Sequence, residues 1–168
     1  MNVPFAIDAL GATHDRRGFS CGVDALDRYF RTQVTQDIRR RLTNCFVATD
    51  PAGLVAGFYT LSATSIPLTD LPEAETKRLP HYPVLPSGLI GRLAVSDMCH
   101  GQGLGAALIV DAIRRTLRAA PAIFALGVDA KDENAARFYA HLGFQRFVSR
   151  EMSLFLPLAA VAKALHRP

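Results

Sequence analysis

The stretch His100-Gly101-Gln102-Gly103-Leu104-Gly105-Ala106 decides how the rest of the chain is organised. It lies between an apolar run, Leu89–Val95, and an amphipathic segment from Leu104 to Leu117. This order predicts a strand, a glycine-rich turn and the first turn of a helix. Glycine has no Cβ to keep a ligand from the backbone, and a helix N-terminus offers unpaired N–H groups. We therefore expect the stretch to bind a phosphate or a pyrophosphate.

Glycine-rich loops of several kinds bind phosphates, and the loop alone leaves more than one interpretation open. A P-loop is excluded, because no Gly-Lys-Ser/Thr follows the glycines. Gly101, Gly103 and Ala106 satisfy the dinucleotide pattern G-x-G-x-x-A, and Asp129 ends the next apolar run. That pattern, however, normally opens the first strand–helix unit of a longer doubly wound sheet. A connector that binds nothing is the third interpretation.

Composition indicates a folded protein of ordinary size. With 168 residues, 49% hydrophobic and 20% charged, we predict one domain that spans residues 1–168. The three cysteines, Cys21, Cys45 and Cys99, show no C-x-x-C spacing and cannot all pair, which favours a reducing cytoplasm. The five histidines show no ligand spacing, so we predict no metal site.

Charge is positive, at +4, and arginines supply most of it in clusters. The clusters are Arg39–Arg41, Lys77–Arg78 and the trio Arg114, Arg115 and Arg118. Such clusters can hold the phosphates of a nucleic acid, or they can simply form a solvated surface. The uncharged run Pro51–Thr69 is long enough to cross a membrane, but its Gly, Pro, aromatic and β-branched residues favour strands instead.

The first half of the chain predicts mostly strands. We expect a strand at 3–10, two short helices between Cys21 and Arg41, and a hairpin of Asn44–Thr49 with Leu54–Ser62. The segment Ser65–Ser87 contains five prolines, which exclude a long helix or a central strand. At most, it holds one short helix near Glu73–Arg78.

The second half alternates strands with helices. The predicted order is a strand at 88–96, a helix at 103–119, a strand at 122–128, a helix from Lys131 or Asp132 to Leu142 that Gly143 ends, strands at 144–148 and 151–156, and a helix at 158–165. The whole pattern predicts a mixed α/β fold with one central sheet.

Two motifs resemble the signatures of the GNAT N-acetyltransferases. The first is Arg/Gln-x-x-Gly-x-Gly/Ala, for which Gly103 and Gly105 are in place while His100 replaces the usual Arg or Gln. The second is N-x-x-A-x-x-F-Y-x-x-x-G-F, which the segment Asn134–Phe144 resembles, with an alanine spacing left ambiguous by the adjacent Ala135 and Ala136. The resemblance implies a central, mostly antiparallel twisted sheet with a splayed strand pair, flanked by helices.

The same resemblance implies acetyl-CoA as the acetyl donor, with no metal. It implies that Tyr139 is the catalytic residue, placed to protonate the departing thiolate. It also implies a set of cofactor-binding residues along the central strand, the glycine loop and the second motif: Leu93, Ala94, Val95, His100, Gly101, Gln102, Gly103, Leu104, Gly105, Ala106 and Asn134.

A narrower resemblance links the chain to the GNAT toxins of bacterial toxin–antitoxin modules. It rests on the segments Phe19–Phe30, Tyr59–Ser62, Tyr82–Pro83, Gly91–Val95 and Leu154–Pro157. It implies acetylation of the α-amine of aminoacyl-tRNA and inhibition of translation in the cytoplasm. It further implies a ribbon-helix-helix antitoxin and a homodimer. For tRNA binding we predict the basic residues Arg39, Arg40, Lys77, Arg78 and Arg92.

Acceptor chemistry favours this reading without excluding others. A lysine amine, with a pKa of about 10.4, needs a base before it can attack, whereas about a tenth of an α-amine is already neutral at pH 7. No Glu or Asp stands out in the sequence as a buried general base. Two alternatives stay open, namely a GNAT enzyme that acetylates a protein N-terminus or a small amine, and a binding module without turnover.

Overall fold

Seven strands and six α-helices follow one another along residues 4–165, the part of the chain that this computed structural model describes. The strands are β1 (Ala6–Ala9), β2 (Asn44–Thr49), β3 (Val55–Pro67), β4 (Val84–Val95), β5 (Ala125–Asp129), β6 (Gln145–Arg146) and β7 (Ser153–Pro157). The helices are α1 (Asp24–Thr32), α2 (Val34–Arg39), α3 (Glu73–Thr76), α4 (Leu104–Arg118), α5 (Glu133–His141) and α6 (Leu158–Leu165). No helix within the described range is long and apolar enough to cross a membrane.

Hydrogen bonds order the strands as β1-β2-β3-β4-β5-β7-β6 in one sheet. The pairings β1–β2, β2–β3, β5–β7 and β6–β7 are antiparallel, and β4 is parallel to β5. The parallel register joins Ser87–Ile90 to Ala125–Val128. The end of β4, from Gly91 to Val95, lies beyond this register. The mixed α/β class and the mostly antiparallel sheet are therefore confirmed.

The chain divides into two compact units, and the first comprises the residues up to Ser62 together with Gly91–Ala112. Three phenylalanines form the centre of its core. The rings of Phe30 and Phe58 are stacked with centroids 4.1 Å apart, and Phe19 meets both edge-on at 5.0 and 5.6 Å. Phe30 and Phe58 are completely buried. Aromatic pairs of this geometry add about 0.5–1.5 kcal/mol to the free energy gained from burial alone.

Within this unit, α4 lies against β3 at Gly57, where the packing leaves no room for a side chain. A Cβ placed on Gly57 would lie 2.9 Å from the carbonyl oxygen of Ala94 and 3.2 and 3.3 Å from the side chains of Leu108 and Leu104. The absent Cβ therefore lets the end of β4 and the start of α4 approach β3 closely.

The second unit comprises Ala63–Ile90 and the residues from Ile113 onward. Its core includes Ile66, Leu85 and Phe155, with the rings of Phe147 and Phe155 5.0 Å apart. Strand β7 pairs with β5 along its whole length, from Ala125↔Pro157 to Asp129↔Ser153. The α5 helix begins at the cap residue Asp132, whose Oδ1 accepts a hydrogen bond from the N–H of Ala135 at 2.8 Å.

The prediction that prolines exclude a central strand from Ser65–Ser87 was wrong for the end of that segment. Pro86 lies inside β4, which is a central strand of the sheet. Proline lacks an N–H but keeps its carbonyl, and the Pro86 carbonyl accepts a hydrogen bond from the N–H of Phe124 at 2.7 Å. The strand therefore continues through the proline because the group it needs on that side is an acceptor.

Strand lengths differ from the predictions in other places, whereas all six helices are confirmed to within a few residues. Strand β3 runs on to Pro67 rather than ending at Ser62, and β5 begins at Ala125 rather than at Ala122. Only Gln145 and Arg146 form β6, because the N–H of Val148 donates to the Asp70 carbonyl instead of to β7. The predicted first strand begins at Ala6, and position 3 lies outside the described residues.

Candidate active site

The glycine loop has a backbone that only glycine adopts readily. Gly101 and Gly103 have φ angles of +78° and +77°, in the left-handed region. A Cβ on either residue would meet no atom of the described residues within 4 Å, so the loop is open on these sides. Gln102, between them, is exposed. The two glycines are therefore required by conformation and not by crowding.

A short 3₁₀ turn at Asp97–Cys99 fixes the loop to the body of the first unit. The N–H of Ser96 donates to the carbonyl of Ala56 at 2.8 Å, and that of Asp97 donates to the carbonyl of Ser20 at 2.9 Å. The Oγ of Ser96 accepts from the N–H of Met98. These bonds hold the entry to the loop against β3 and against the segment before α1.

The side chain of His100 bonds back to the end of β4. Its Nε2 lies 2.9 Å from the carbonyl oxygen of Val95, an atom that only accepts, so Nε2 carries the proton and donates. The imidazole thus ties the loop back to the end of β4. Burial and the nearby Asp50 raise the pKa of the Cys99 thiol, and the His100 imidazole is turned to Val95. The neighbours Cys99 and His100 therefore do not form a nucleophile–base pair.

The start of α4 supplies donors for an anion. The first intrahelical hydrogen bond runs from the N–H of Ala107 to the carbonyl of Gly103 at 3.1 Å. The N–H groups of Leu104, Gly105 and Ala106 consequently precede the helical ladder and have no intrahelical acceptor. The side chain of Leu104 is buried and anchors this turn. An open loop, three such donors and the positive end of a fifteen-residue helix fit the pyrophosphate of a nucleotide cofactor.

The predicted cofactor strand, Leu93-Ala94-Val95, leads into the loop at the end of β4. Ala94 is buried in the aromatic core of the first unit, whereas Leu93 and Val95 are half-buried. Because this segment lies beyond the β4–β5 register, its position agrees with the role that the resemblance implies.

Tyr139 lies in the second unit, on α5, with only 6% of its surface exposed. Its ring meets those of Phe138 and Phe144 at centroid distances of 5.3 and 5.7 Å. Burial, and then the Asp129 carboxylate, raise the pKa of the Tyr139 phenol to about 12. The phenol therefore carries its proton at neutral pH. The α5 helix ends at His141, and the φ of +102° at Gly143 permits the turn that follows.

Asn134 is exposed in the first turn of α5. Its side-chain Oδ1 accepts a hydrogen bond from Nη2 of Arg137. The amide of Asn134 is thus held by its own helix, in the unit that also carries Tyr139.

The basic residues predicted to bind tRNA fall into two groups. Arg39 and Arg40 are exposed at the end of α2, in the first unit, and Arg92 on β4 is half-buried there. Lys77 and Arg78 are exposed just after α3, in the second unit. Lys77 also pairs with Glu73 at 3.9 Å, but an exposed pair of this kind contributes little stability.

Three residues beside Arg92 were missed by the sequence reasoning. The guanidinium carbon of Arg92 lies 3.5 Å from the centroid of the Tyr29 ring, and the hydroxyl of Tyr29 donates to Asp37 at 2.8 Å. The backbone N–H of Arg92 donates to Oγ1 of the buried Thr60 at 3.0 Å. The only signal available was the spacing of Tyr29 and Asp37, eight residues or about two helical turns apart.

Comparison with known proteins decides the family. The acetyltransferase (GNAT) domain pattern matches residues 41–146, which include the cofactor strand, the glycine loop and Tyr139. The chain belongs to the GNAT acetyltransferase family. Membership of this family favours the acetyl-CoA interpretation of the loop over the dinucleotide pattern and over a connector that binds nothing.

Relatives of this GNAT acetyltransferase include toxins. The "tRNA-acetylating toxin" of Mycobacterium tuberculosis is 37% identical over 154 residues, which cover 90% of each chain. The "Probable toxin TacT" of Sinorhizobium fredii is 27% identical over 158 residues, or 88% of this chain and 87% of that protein. Among solved structures, AtaT complexed with acetyl-methionyl-tRNAfMet has a TM-score of 0.88 at 30% identity, covering 96% of this chain and 99% of AtaT. AtaT is also known bound to the C-terminus of the antitoxin AtaR, and AtaTR bound with acetyl-CoA.

In this GNAT acetyltransferase, acetyl-CoA supplies the acetyl group as a thioester. The backbone amides at the start of α4 are groups that could bind and orient the anionic end of that donor. His100 holds the loop to β4, and Leu104 holds it to the core, so the donors are fixed before the ligand arrives. Donors that are already in place need no reorganisation on binding.

Proposed function

We propose that this GNAT acetyltransferase transfers the acetyl group of acetyl-CoA to the α-amine of an aminoacyl-tRNA and thereby acts as a toxin that blocks translation. The observation that carries the proposal is the extent of the likeness. It covers 90% of the chain for the tRNA-acetylating toxin and 96% for AtaT, well beyond the matched domain at 41–146. The segments outside that domain, where acetyltransferases differ, are thus also shared.

The acidic side chains support an acceptor that needs little deprotonation. Among the described residues, Asp27 is the buried carboxylate, and its Oδ1 accepts a hydrogen bond from the N–H of Cys21 at 2.9 Å. That bond gives Asp27 a structural task at the start of α1. An α-amine, with a pKa near 7.7–8.0, reaches its reactive neutral form without a strong base. A lysine acceptor would require one.

The proposed roles follow the family pattern. Leu93–Val95, His100–Ala106 and Asn134 bind the cofactor, with the pyrophosphate on the amides of the loop. Tyr139 is the general acid, because its phenol retains the proton at neutral pH and can donate it to the departing sulfur. Arg39, Arg40, Lys77, Arg78 and Arg92 contact the tRNA.

The proposal extends to the partners and to the setting. A ribbon-helix-helix antitoxin neutralises the toxin, which forms a homodimer and acts in the cytoplasm, where aminoacyl-tRNA is found. Residues 1–168 form a single GNAT domain in this proposal. The AtaT structures with an antitoxin C-terminus support the existence of such a partner. Cys21, Cys45 and Cys99 form no disulfide within the described residues, which agrees with a reducing compartment.

The test is a side-by-side acceptor assay. Labelled acetyl-CoA is offered with charged tRNA, with uncharged tRNA and with a lysine-rich protein, and we expect label on charged tRNA alone. The control is Gly105→Asp, which places a negative charge against the pyrophosphate and should abolish transfer while the protein stays folded. Label on the protein or on a small amine would identify one of the other acetyltransferase classes. No transfer to any acceptor despite acetyl-CoA binding would indicate a binding module.

A further inference from the structure

Arg92 is held in a way that a simple phosphate contact does not require. Its guanidinium carbon lies 3.5 Å above the centroid of the Tyr29 ring, a distance at which a flat guanidinium stacks face to face on an aromatic ring. Within residues 4–165, the contact of this guanidinium is with an aromatic ring rather than with a carboxylate. Its positive charge is therefore not neutralised by a salt bridge.

The ring under Arg92 is itself fixed. The Tyr29 hydroxyl donates to Oδ2 of Asp37 at 2.8 Å, and the ring belongs to the buried core of the first unit. On the other side, the backbone of Arg92 is bonded to the buried Thr60. A strand, a ring and a second helix thus set the plane of the guanidinium. Tyr29 covers one face of the guanidinium, and Arg92 as a whole is only half-buried.

We propose that Arg92, stacked on Tyr29, is a platform on which a base at the 3′ end of the aminoacyl-tRNA stacks. This inference rests on the proposed function and names how that acceptor is oriented. Unpaired bases of RNA are commonly stacked on arginine planes and aromatic rings. Arg92 directly precedes the cofactor strand Leu93–Val95. The reacting amine belongs to the amino acid whose carboxyl group is esterified to the terminal nucleotide. A base held at Arg92 therefore lies next to the segment that presents the acetyl donor.

Two other roles for Arg92 make different predictions. If Arg92 only attracts phosphates, its charge matters and its shape does not. If it only packs on Tyr29, its loss reduces stability and affects both substrates. A stacking platform requires a flat guanidinium in a fixed orientation and the terminal bases of the acceptor. Its loss does not change acetyl-CoA binding. Tyr29 and Asp37 are then positioning residues, because they act through Arg92.

The decisive variant is Arg92→Lys, which keeps the charge and removes the plane. We expect the KM for charged tRNA to rise about tenfold, within the range for loss of one base stack, with the melting temperature and the acetyl-CoA affinity unchanged. A short aminoacylated oligonucleotide with the tRNA 3′ end should show the same loss. Tyr29→Leu, which removes the ring, should raise the KM for charged tRNA as Arg92→Lys does, with a lower melting temperature because the ring belongs to the core. Tyr29→Phe, which keeps the ring, should retain most of the affinity.

Several outcomes overturn the platform. Wild-type KM in Arg92→Lys means that charge alone acts there. A loss seen with whole tRNA but not with the short oligonucleotide places the contact away from the 3′ end. A lower melting temperature with weaker binding of both substrates means that Arg92 is structural. The proposed function fails separately if the wild-type enzyme does not acetylate charged tRNA at all, and the platform fails with it.

Discussion

Tyr139 is the residue that we propose as the general acid of acetyl transfer. Its phenol is buried among aromatic rings, and burial together with Asp129 raises the phenol pKa to about 12. A group with so high a pKa cannot lose its proton to water at pH 7. It can still donate a hydrogen bond, and then the proton, to a sulfur on which negative charge develops. In the proposed role, the protonated phenol supplies this proton to the thiolate.

Replacement of Tyr139 by phenylalanine tests this role. Tyr139→Phe removes one oxygen and keeps the shape of the ring, so we expect a melting temperature and an acetyl-CoA affinity close to wild type. Turnover should fall by about two orders of magnitude or more. Steady-state kinetics with charged tRNA and calorimetry with acetyl-CoA measure the two effects. Wild-type turnover in the variant would show that Tyr139 serves packing only.

The raised pKa of Tyr139 also predicts how stability depends on pH. A folded-state pKa of about 12 against an ordinary value of 10 means that folding favours the protonated phenol. This contribution is complete below pH 10 and is lost as the pH rises from 10 towards 12, by up to about 2.7 kcal/mol. The free energy of unfolding, from denaturant titrations at pH 9, 10 and 11, should therefore fall less steeply in Tyr139→Phe than in wild type.

A matched control separates the two buried phenols. The pKa of Tyr29 is also raised to about 12, by burial and by its bond to Asp37. In Tyr29→Phe, the free energy of unfolding should therefore also fall less steeply with rising pH than in wild type. In the double variant with Tyr139→Phe it should fall less steeply still. Identical alkaline slopes in all four proteins would mean that neither phenol is responsible.

Single residues were predictable from the sequence when a backbone conformation demanded them. Gly101 and Gly103 were recognised because a left-handed turn before a helix leaves glycine as the ordinary choice. The stack of Arg92 on Tyr29 was not, because residues 63 positions apart meet only through the fold, and a tyrosine beside a phenylalanine in an amphipathic helix looks like core. The role of His100 was likewise hidden, since its bond to Val95 depends on the shape of the loop.

At the scale of elements, the position of α4 depends on β3. Gly57 brings the helix and the cofactor strand close, because a Cβ there would lie 2.9 Å from a backbone oxygen, which cannot rotate away. The N-terminal end of α4, where we propose that the pyrophosphate binds, is therefore placed by β3, a strand outside both cofactor motifs. Helix placement here depends on the absence of a side chain in its neighbour.

A pair of glycine substitutions measures this dependence. In Gly57→Ala, the new methyl group must displace Ala94 or α4, so we expect a loss of about 1–3 kcal/mol in stability and weaker acetyl-CoA binding. The control is Gly127→Ala on β5, where the nearest atom to the new Cβ is 3.6 Å away, and which should remain close to wild type. Denaturant unfolding and calorimetry distinguish the two. Equal behaviour of the two variants would show that β3 tolerates a methyl group.

Elements were predicted well where periodicity or capping marked them and poorly where hydrogen bonds with a distant strand set their ends. The α5 helix could be located from its cap Asp132 and its stop Gly143. Strand β4, by contrast, begins before Pro86, and β6 ends early because Val148 bonds to Asp70. Neither partner is a neighbour in the sequence, so no local pattern could reveal these limits.

For the whole molecule, the distribution of charge is the property that bears on RNA binding. The net charge of +4 is modest, and Asp and Glu side chains offset much of the arginine content. Exposed basic residues occur at the end of α2 and after α3, while Arg114 and Arg118 are exposed on α4. The long-range attraction of RNA therefore depends on which of these basic residues face the RNA, and not on the net charge.

The salt dependence of tRNA binding tests which of these basic residues contact phosphates of the tRNA. Replacing Arg39 and Arg40 together with Gln should weaken tRNA binding and reduce the slope of log K against log salt by about 0.7–0.9 for each lost phosphate contact. The double variant of Lys77 and Arg78 should behave in the same way. The matched control, Arg114→Gln with Arg118→Gln, removes two exposed charges from α4 and should keep the wild-type slope. Equal slopes in all the variants would mean that these residues only solubilise the surface.

The reason why glycine is required differs between positions of this protein. A genetic selection for loss of toxicity would reveal the difference. At positions 101 and 103 the restriction is conformational and the surroundings are open, so asparagine, which tolerates the left-handed region, is an admissible replacement. At position 57 the restriction is one of space, and the smallest side chain is already too large. In a saturation library, active sequences should therefore carry glycine or asparagine at positions 101 and 103, and glycine alone at position 57. A mutation at position 57 would weaken the enzyme from β3, because the new side chain would displace Ala94 and Leu104, two residues of the proposed cofactor site.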